Sequence, residues 1–597
     1  MYLYKQKKPN GDVYLSIKEK YHVKGKGSRE KTIEKIGYLS QFRDQYDDPI
    51  AHFEEYVREL TEKQQVERKQ SVQIDTNAVL QTNTNDIRNV GYGILKEIYR
   101  QLELGKFWNW KTRGRKIEFS TDQIFRLLVF SRALNPGSKR YTLNNKDMFF
   151  EPFDDISLDD MYHALDVISE NQEALQKWIF DHSPNIIGER SLKTSYFDCT
   201  NYYFDIGHPD IDMFDENGNP VSVKYRKRGP EKNHRPDPII EMGLLLDSKG
   251  IPVSYDLFPG NESEKVHMRP ILNRVRDQFT DTRIIVVADR GLNTSDNIYW
   301  LNGDNKGDNN QRDGYVYGQS VRGADAEFKE WVLKEDYKTE MVTDDNGNRI
   351  TFTHKSRIHP KDLQVNVTKP GRKKPAKRKV TVDQKQMAYY SEKYAKKQRM
   401  EREIMITRAE DLIRHPEKYD RITAKGSSSY IKNIAFDKDT GAIVDGRNLE
   451  LDLEKITEEA KYDGYYSIVT SELNLSDEKI RKIYRGLARI EDSFKVTKAY
   501  FSSRPVYVWT NKHIEAHFAT CYTALVLIRL LETKLGNQYP VGQILDSLKK
   551  YNCTQIDHNL WQFTCYNDIL KDCGEKLDMK LHIKYRKRQE IQRLLHY

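Results

Sequence analysis

Three carboxylates stand far apart in the sequence, each where a carboxylate needs a reason. Asp198 interrupts the aromatic run Tyr196-Phe-Asp-Cys-Thr-Asn-Tyr-Tyr-Phe204, whose pattern predicts a strand at least half buried. A buried carboxylate is costly unless it is hydrogen-bonded, ion-paired or metal-bound. Asp289 closes the apolar run Arg283-Ile-Ile-Val-Val-Ala-Asp289 ahead of Arg290-Gly291, and strand ends of this kind are where α/β folds place ligands. Glu491 lies in a helical segment, seven residues after Tyr484 and seven before Lys498. Seven residues fall roughly 20° short of two helical turns, which predicts the three side chains on one face. Three carboxylates gathered on one core repel one another until divalent cations neutralise them, and hard oxygen ligands with open positions suit Mg²⁺ or Mn²⁺. Two such ions about 3.5–4 Å apart activate a hydroxyl nucleophile and stabilise the leaving oxygen of an in-line phosphoryl transfer.

The elements that must position these groups follow from hydrophobic spacing. Ser195 to Phe204, Glu241 to Asp247 and Ile251 to Phe258 read as an antiparallel meander. A helix over Glu264 to Phe279 leads to the buried strand ending at Asp289. Ser476, with Asp477 and Glu478 after it, is a good N-cap for a helix running to about Tyr500. Upstream, alternation around Pro9-Asn10-Gly11-Asp12 predicts a hairpin. Helical spacing then runs from about 45 to 190, as in Val90 to Leu102, Thr121 to Leu134 and Met161 to Phe180. Residues 320–460 are charged and less regular, with a basic run from Lys369 to Lys379 and a long polar helix expected from Asp383 to Ala409.

The expected division is an N-terminal β-hairpin and helix region (1–75), a helical domain (76–190), to which the resemblance described below adds DNA binding, the first part of an α/β core (191–320), an insertion domain (321–460), the second part of the core with the Glu helix (461–535) and a C-terminal helical region (536–597).

Composition excludes several classes. With 38% hydrophobic and 31% charged residues over 597 positions, the chain is globular rather than disordered. Its 98 Lys+Arg against 89 Asp+Glu leave +9, so any nucleic-acid-binding surface must be local. Five cysteines without a Cys-x-x-Cys pair point to a reducing, cytoplasmic setting and away from structural zinc. No secretion signal or membrane anchor is expected, since the longest apolar stretch, Phe518 to Ile528, is short of a bilayer span. Lys224, Arg226, Lys227, Arg228, Lys232 and Arg235 form a basic loop between the first two core strands, suited to DNA phosphates. His513-Ile-Glu515-Ala-His517 lacks the spacing of a zinc-protease helix.

Tyr-Phe-Asp198-x-Thr, Val-Val-Ala-Asp289-Arg-Gly-Leu and Tyr484-Arg-Gly-Leu-x-x-Ile-Glu491-Asp-x-Phe-x-x-x-Lys498 together resemble the insertion-sequence transposases that carry a DDE triad and a Tyr-Arg-Glu-Lys signature. The resemblance covers about residues 190–535 and extends to Gly260-Asn-Glu-Ser263, Tyr389 to Tyr394, and Arg504-Pro505 through Ala516-His517. It implies an RNase H-like mixed sheet interrupted by an insertion domain, with Asp198, Asp289 and Glu491 holding two Mg²⁺ ions. It further implies cleavage and strand transfer at terminal inverted repeats, with Tyr484, Lys498, Arg485 and Arg489 near DNA phosphates. The implied partners are double-stranded transposon ends and target DNA, held by a homodimer at the bacterial nucleoid. One position departs from the pattern: the signature arginine, three residues after the tyrosine, is here Leu487. A cleavage-only nuclease, a domesticated DNA-binding protein on the same core, and a polar helical interaction protein are the alternatives.

Overall fold

The computed structural model describes the chain except for residues 10, 24–26, 67–76, 78, 80–81, 83–84, 219, 231–236, 280–282, 303–312, 344–346, 368–374, 416–425, 433–448, 558 and 597. Two compact units result, residues 1–84 with 556–558, and residues 85–555 with 559–597.

In the first unit, β1 (Tyr2–Lys7), β2 (Val13–Val23) and β3 (Gly27–Tyr38) form an antiparallel sheet in chain order. Asn10 of the expected turn lies outside the described residues; Gly11 beside it takes φ +81, a conformation glycine adopts without strain. Leu15 and Ile17 point to the helix Pro49–Val66, where Val57 is also buried.

The second unit contains β4 (Ile87–Asn89), β5 (Thr194–Tyr203), a hairpin of β6 (Met213–Phe214) and β7 (Pro220–Ser222), β8 (Ile239–Leu246), β9 (Pro252–Pro259), β10 (Ile285–Ala288) and β11 (Gly314–Gln319). These are followed by β12 (Lys338–Thr343), β13 (Arg349–Val367), β14 (Ala376–Tyr390), the short pair β15 (Ile431–Lys432) and β16 (Glu450–Leu451), and β17 (Tyr465–Thr470). Nine of them make one sheet in the order β12-β13-β14-β17-β11-β10-β5-β8-β9. Within it β10 runs parallel to β5 and β11, and the other neighbours are antiparallel. The mixed α/β core is therefore present. Strands from residues 338–390, within the segment expected as an insertion, extend one edge of this same sheet.

Three helical expectations need correction. The polar helix does not begin at Asp383: residues Asp383 to Tyr390 belong to β14, and the helix runs Glu392–Arg414 from a Ser391 N-cap. Polar residues conceal this strand, because buried Gln384 and Gln386 are satisfied by Tyr315 Oη (2.9 Å) and by Arg357 Nε (2.8 Å). Met161 to Phe180 is split at Asn171 into helices Leu158–Glu170 and Gln172–His182. The C-terminal region is not wholly helical. It includes β18 (Asn552–Asp557), β19 (Leu560–Phe563) and β20 (Tyr585–Lys587), and Asn552–Thr554 pair with β4.

The helix Asn511–Lys534 has the length and apolarity to cross a membrane, but its apolar window is 94% buried. It is the central core helix, packed on Thr121–Leu134, Leu158–Glu170 and β9. Close backbone packing also ties this layer to the C-terminal region. A Cβ at Gly91 would lie 1.9 Å from the Leu548 carbonyl oxygen. Gly91→Ala is accordingly expected to destabilise this unit by about 3 kcal/mol, read as a lowered urea midpoint; an unchanged midpoint would contradict the packing.

Beneath this layer lies a buried positive cluster. Arg132 donates to the carbonyls of Phe501 (3.1 Å) and Gly137 (3.0 Å). Nearby Lys139, 4% exposed, has no carboxylate partner among the described residues. Burial, with Arg132 close by, pushes its ammonium pKa down to about 7.

Candidate active site

The site begins with the parallel pairing of β5 and β10. Val287 lies opposite Tyr196 in the last pair of this ladder, and Asp289 and Asp198 each stand two residues beyond it on the neighbouring chains. Asp198 is half-buried, and its Oδ1 accepts a 2.8 Å hydrogen bond from the Cys199 amide. Asp289 is exposed where β10 ends and a short turn, Arg290–Leu292, begins.

The segment expected as one helix from Ser476 to Tyr500 is three pieces. Helix Asp477–Arg485 is capped by Ser476, helix Ala488–Lys495 follows, and Val496–Tyr500 forms a π-helical turn. Two anchors hold the segment on β5. At Gly486 a Cβ would come within 2.1 Å of the Tyr196 hydroxyl, so only glycine permits this approach. At the other end the Thr497 hydroxyl is 2.9 Å from the Tyr202 hydroxyl, and Lys498 Nζ donates to Thr200 Oγ1. Tyr196, Asp198, Thr200 and Tyr202 alternate onto one strand face. The anchors thus bracket Asp198, and exposed Glu491 lies between them in the chain. Thr200 stands in the motif Tyr-Phe-Asp198-x-Thr, but its part in holding Lys498 is visible only in the fold.

Tyr484 closes the arrangement. Its hydroxyl donates to Asp289 Oδ1 at 3.5 Å, and Gly318 on β11 leaves it room, since a Cβ there would lie 2.4 Å from that oxygen. Burial, followed by the Asp289 charge, raises the phenol pKa above its ordinary value, so it stays a donor. A cavity of about 750 Å³ is lined by Asp289, Tyr484, Arg485, Leu487 and Glu491. Tyr484 and Asp289 also line a smaller one, of about 270 Å³. Tyr484→Phe removes one long hydrogen bond, worth about 1 kcal/mol. The expected result is a roughly fivefold slower site reaction with no more than about 1 kcal/mol lost from stability; a loss of activity approaching that of an aspartate variant would contradict this modest role.

The predicted residues are only partly gathered. Asp289, Glu491, Tyr484 and Arg485 share the larger cavity, with buried Leu487 in its wall. Lys498 instead reaches Thr200 through the π-turn. Asp198 sits one strand away from Asp289. Among the described residues no group of three or more His, Cys, Asp or Glu is close enough to hold a metal. The donors fit a hard cation in kind: two exposed carboxylates and a half-buried third, none of them covered by an apolar layer.

The basic loop is braced internally rather than presented as a row of free cations. Arg226 pairs with Asp210, and Lys227 lies 2.8 Å from Asp212, whose carboxyl pKa it lowers. Arg228 donates to the Gly207 carbonyl (2.8 Å), while the Lys224 amide donates to Asp212 (2.8 Å). Lys232 and Arg235 lie outside the described residues, as does most of the Lys369 to Lys379 run. Arg489 donates to the Ser248 carbonyl in the β8–β9 turn (2.8 Å). At the other motif, Glu515 accepts from Tyr225 (2.9 Å) and buried His517 meets the Ser503 carbonyl (3.2 Å).

A family model described as a transposase DDE domain matches residues 221–527. The matched residues include Asp289 and Glu491 and begin after Asp198. No curated protein matches the chain.

Proposed function

The chain belongs to the DDE transposase family, and from that premise we propose that it binds terminal inverted repeats of an insertion sequence and carries out Mg²⁺-dependent strand cleavage followed by strand transfer. Asp198, Asp289 and Glu491 are the residues proposed to hold two Mg²⁺ ions on an RNase H-like core with residues 321–460 as its insertion. When bound, the ions supply the positive charge that activates the attacking hydroxyl and stabilises the departing oxygen. Tyr484, kept protonated beside Asp289, would turn its single O–H from Asp289 to a phosphate oxygen at the scissile position. Arg485 offers charge at the cavity, and Lys498, fixed by Thr200, does so farther along β5. Two subunits would pair two DNA ends at the bacterial nucleoid.

The observation that supports this reading is the β5–β10 pairing, beyond whose last pair Asp198 and Asp289 each follow by two residues, with the segment bearing Glu491 anchored on β5 at Tyr196 and Tyr202. Its test is incubation of the full chain with DNA carrying the element's own ends, in Mg²⁺ or in Ca²⁺. Nicked and then joined products, in Mg²⁺ alone, are expected. Cutting without joining would replace transposase by nuclease, and DNA binding without cutting would leave a non-catalytic relative.

A further inference from the structure

The first unit is strongly polarised in charge. Residues 1–38, which hold its three strands, carry ten Lys and Arg against four Asp and Glu, whereas residues 39–66, which hold its helix, carry three against seven. The three strands themselves hold seven Lys and Arg against three Glu.

The strand register sorts those charges by face. Leu3, Lys5, Leu15, Ile17 and Glu34 share the face turned to the helix: Leu15 and Ile17 are fully buried, Lys5 pairs with Glu54 at 2.7 Å, and Glu34 accepts from Tyr56 at 3.4 Å. The opposite face carries Tyr2, Tyr4, Tyr14, Lys18, Lys20 and Lys35. There the Lys18 ammonium lies 3.5 Å from the centre of the Tyr4 ring, and that of Lys20 lies 5.5 Å from the centre of Tyr2. Glu30 on this face is held by Lys18 at 3.3 Å and Lys20 at 4.0 Å.

We propose that this tyrosine- and lysine-bearing face docks against double-stranded DNA, laying the three strands along a major groove. The inference rests on the transposase reading and assigns the surface by which DNA is held. Dimensions agree: three strands at about 4.8 Å spacing are about 10 Å across, within a groove about 12 Å wide. The six residues of β1 span about 20 Å. Charge agrees as well, since the lysines meet phosphates at the groove walls while the tyrosine rings offer rigid, partly polar surface to the groove floor.

The experiment measures binding of the full chain to a fluorescent duplex from the element's own end across a salt series. It compares wild type, the triple variant Lys18→Ala/Lys20→Ala/Lys35→Ala, Tyr4→Ala, and Lys5→Ala on the helix-facing side. The triple variant is expected to bind at least about tenfold more weakly, with a log–log salt slope shallower by roughly 2 to 3, at about 0.9 for each phosphate no longer neutralised. Tyr4→Ala should weaken binding with the slope retained, and Lys5→Ala should bind as wild type. An unchanged affinity and slope in the triple variant would overturn the proposal. If wild type still cuts DNA in that case, the transposase reading stands without it; if wild type neither binds nor cuts, both fail. Circular dichroism melting of each variant separates weakened DNA docking from impaired folding.

Discussion

Replacing Asp289 with alanine is expected to reduce DNA strand cleavage by at least about 10³-fold, a loss of about 4 kcal/mol of transition-state stabilisation, while leaving the thermal midpoint in place. Both halves follow from its position. The side chain is exposed at the end of β10, and the hydrogen bond it accepts from Tyr484 is 3.5 Å long, so its removal opens no cavity and strands no buried donor. Asp198 differs because it is half-buried on β5 and accepts the Cys199 amide, so its alanine variant should lose activity together with some stability. Nicking rates at saturating Mg²⁺, measured beside melting curves, separate the two. A loss below tenfold for Asp289→Ala would remove it from the proposed ligand set.

The second large effect concerns stability. Lys139→Met is expected to stabilise the protein by about 3–5 kcal/mol near neutral pH, with a gain that shrinks as the solution becomes more alkaline. An unfolded lysine titrates at an ordinary value near 10.5, whereas buried Lys139 titrates at about 7. Between those values the unfolded chain holds a proton that the folded chain has released, so wild-type stability rises with pH by about 1.4 kcal/mol per unit from this group. Below about pH 7 the destabilisation is present in full. Methionine has a similar length and no charge, and it removes this linkage. Urea unfolding at about pH 6.5 and about pH 9 should show the gap between variant and wild type narrowing; a constant gap would mean that Lys139 carries no such burden.

Much of the catalytic sheet is legible in the sequence because its central strands are apolar. The runs ending at Phe204, Asp247, Phe258 and Asp289 match β5, β8, β9 and β10 closely, and the helix Glu264–Phe279 falls where the spacing puts it. β14 is hidden because Gln384 and Gln386 are polar yet buried, and their hydrogen-bond partners lie at distant positions in the chain. Tyr484 and Glu491 line one cavity, but from two successive helices rather than the single helix expected. The place of Lys498 is not legible, because a π-turn interrupts the helical spacing. The basic loop is visible as charge, but its pairing with Asp210 and Asp212 belongs to the folded chain.

The strand β17 carries a consequence for biosynthesis. Six residues long, it joins β12–β14 to the strands bearing the aspartates, and it reaches β11 only after the chain from Gln319 to Tyr465 has been made. At about 5–20 residues per second, those roughly 150 residues take about 10–30 s to synthesise. During that interval the outer edge of β11 lacks its native partner and is open to pairing with other chains. Glu491 emerges later still, so a nascent or truncated polypeptide ending before it holds both aspartates and lacks the third carboxylate of the proposed site. The proposed metal site is thereby incomplete until most of the chain has left the ribosome.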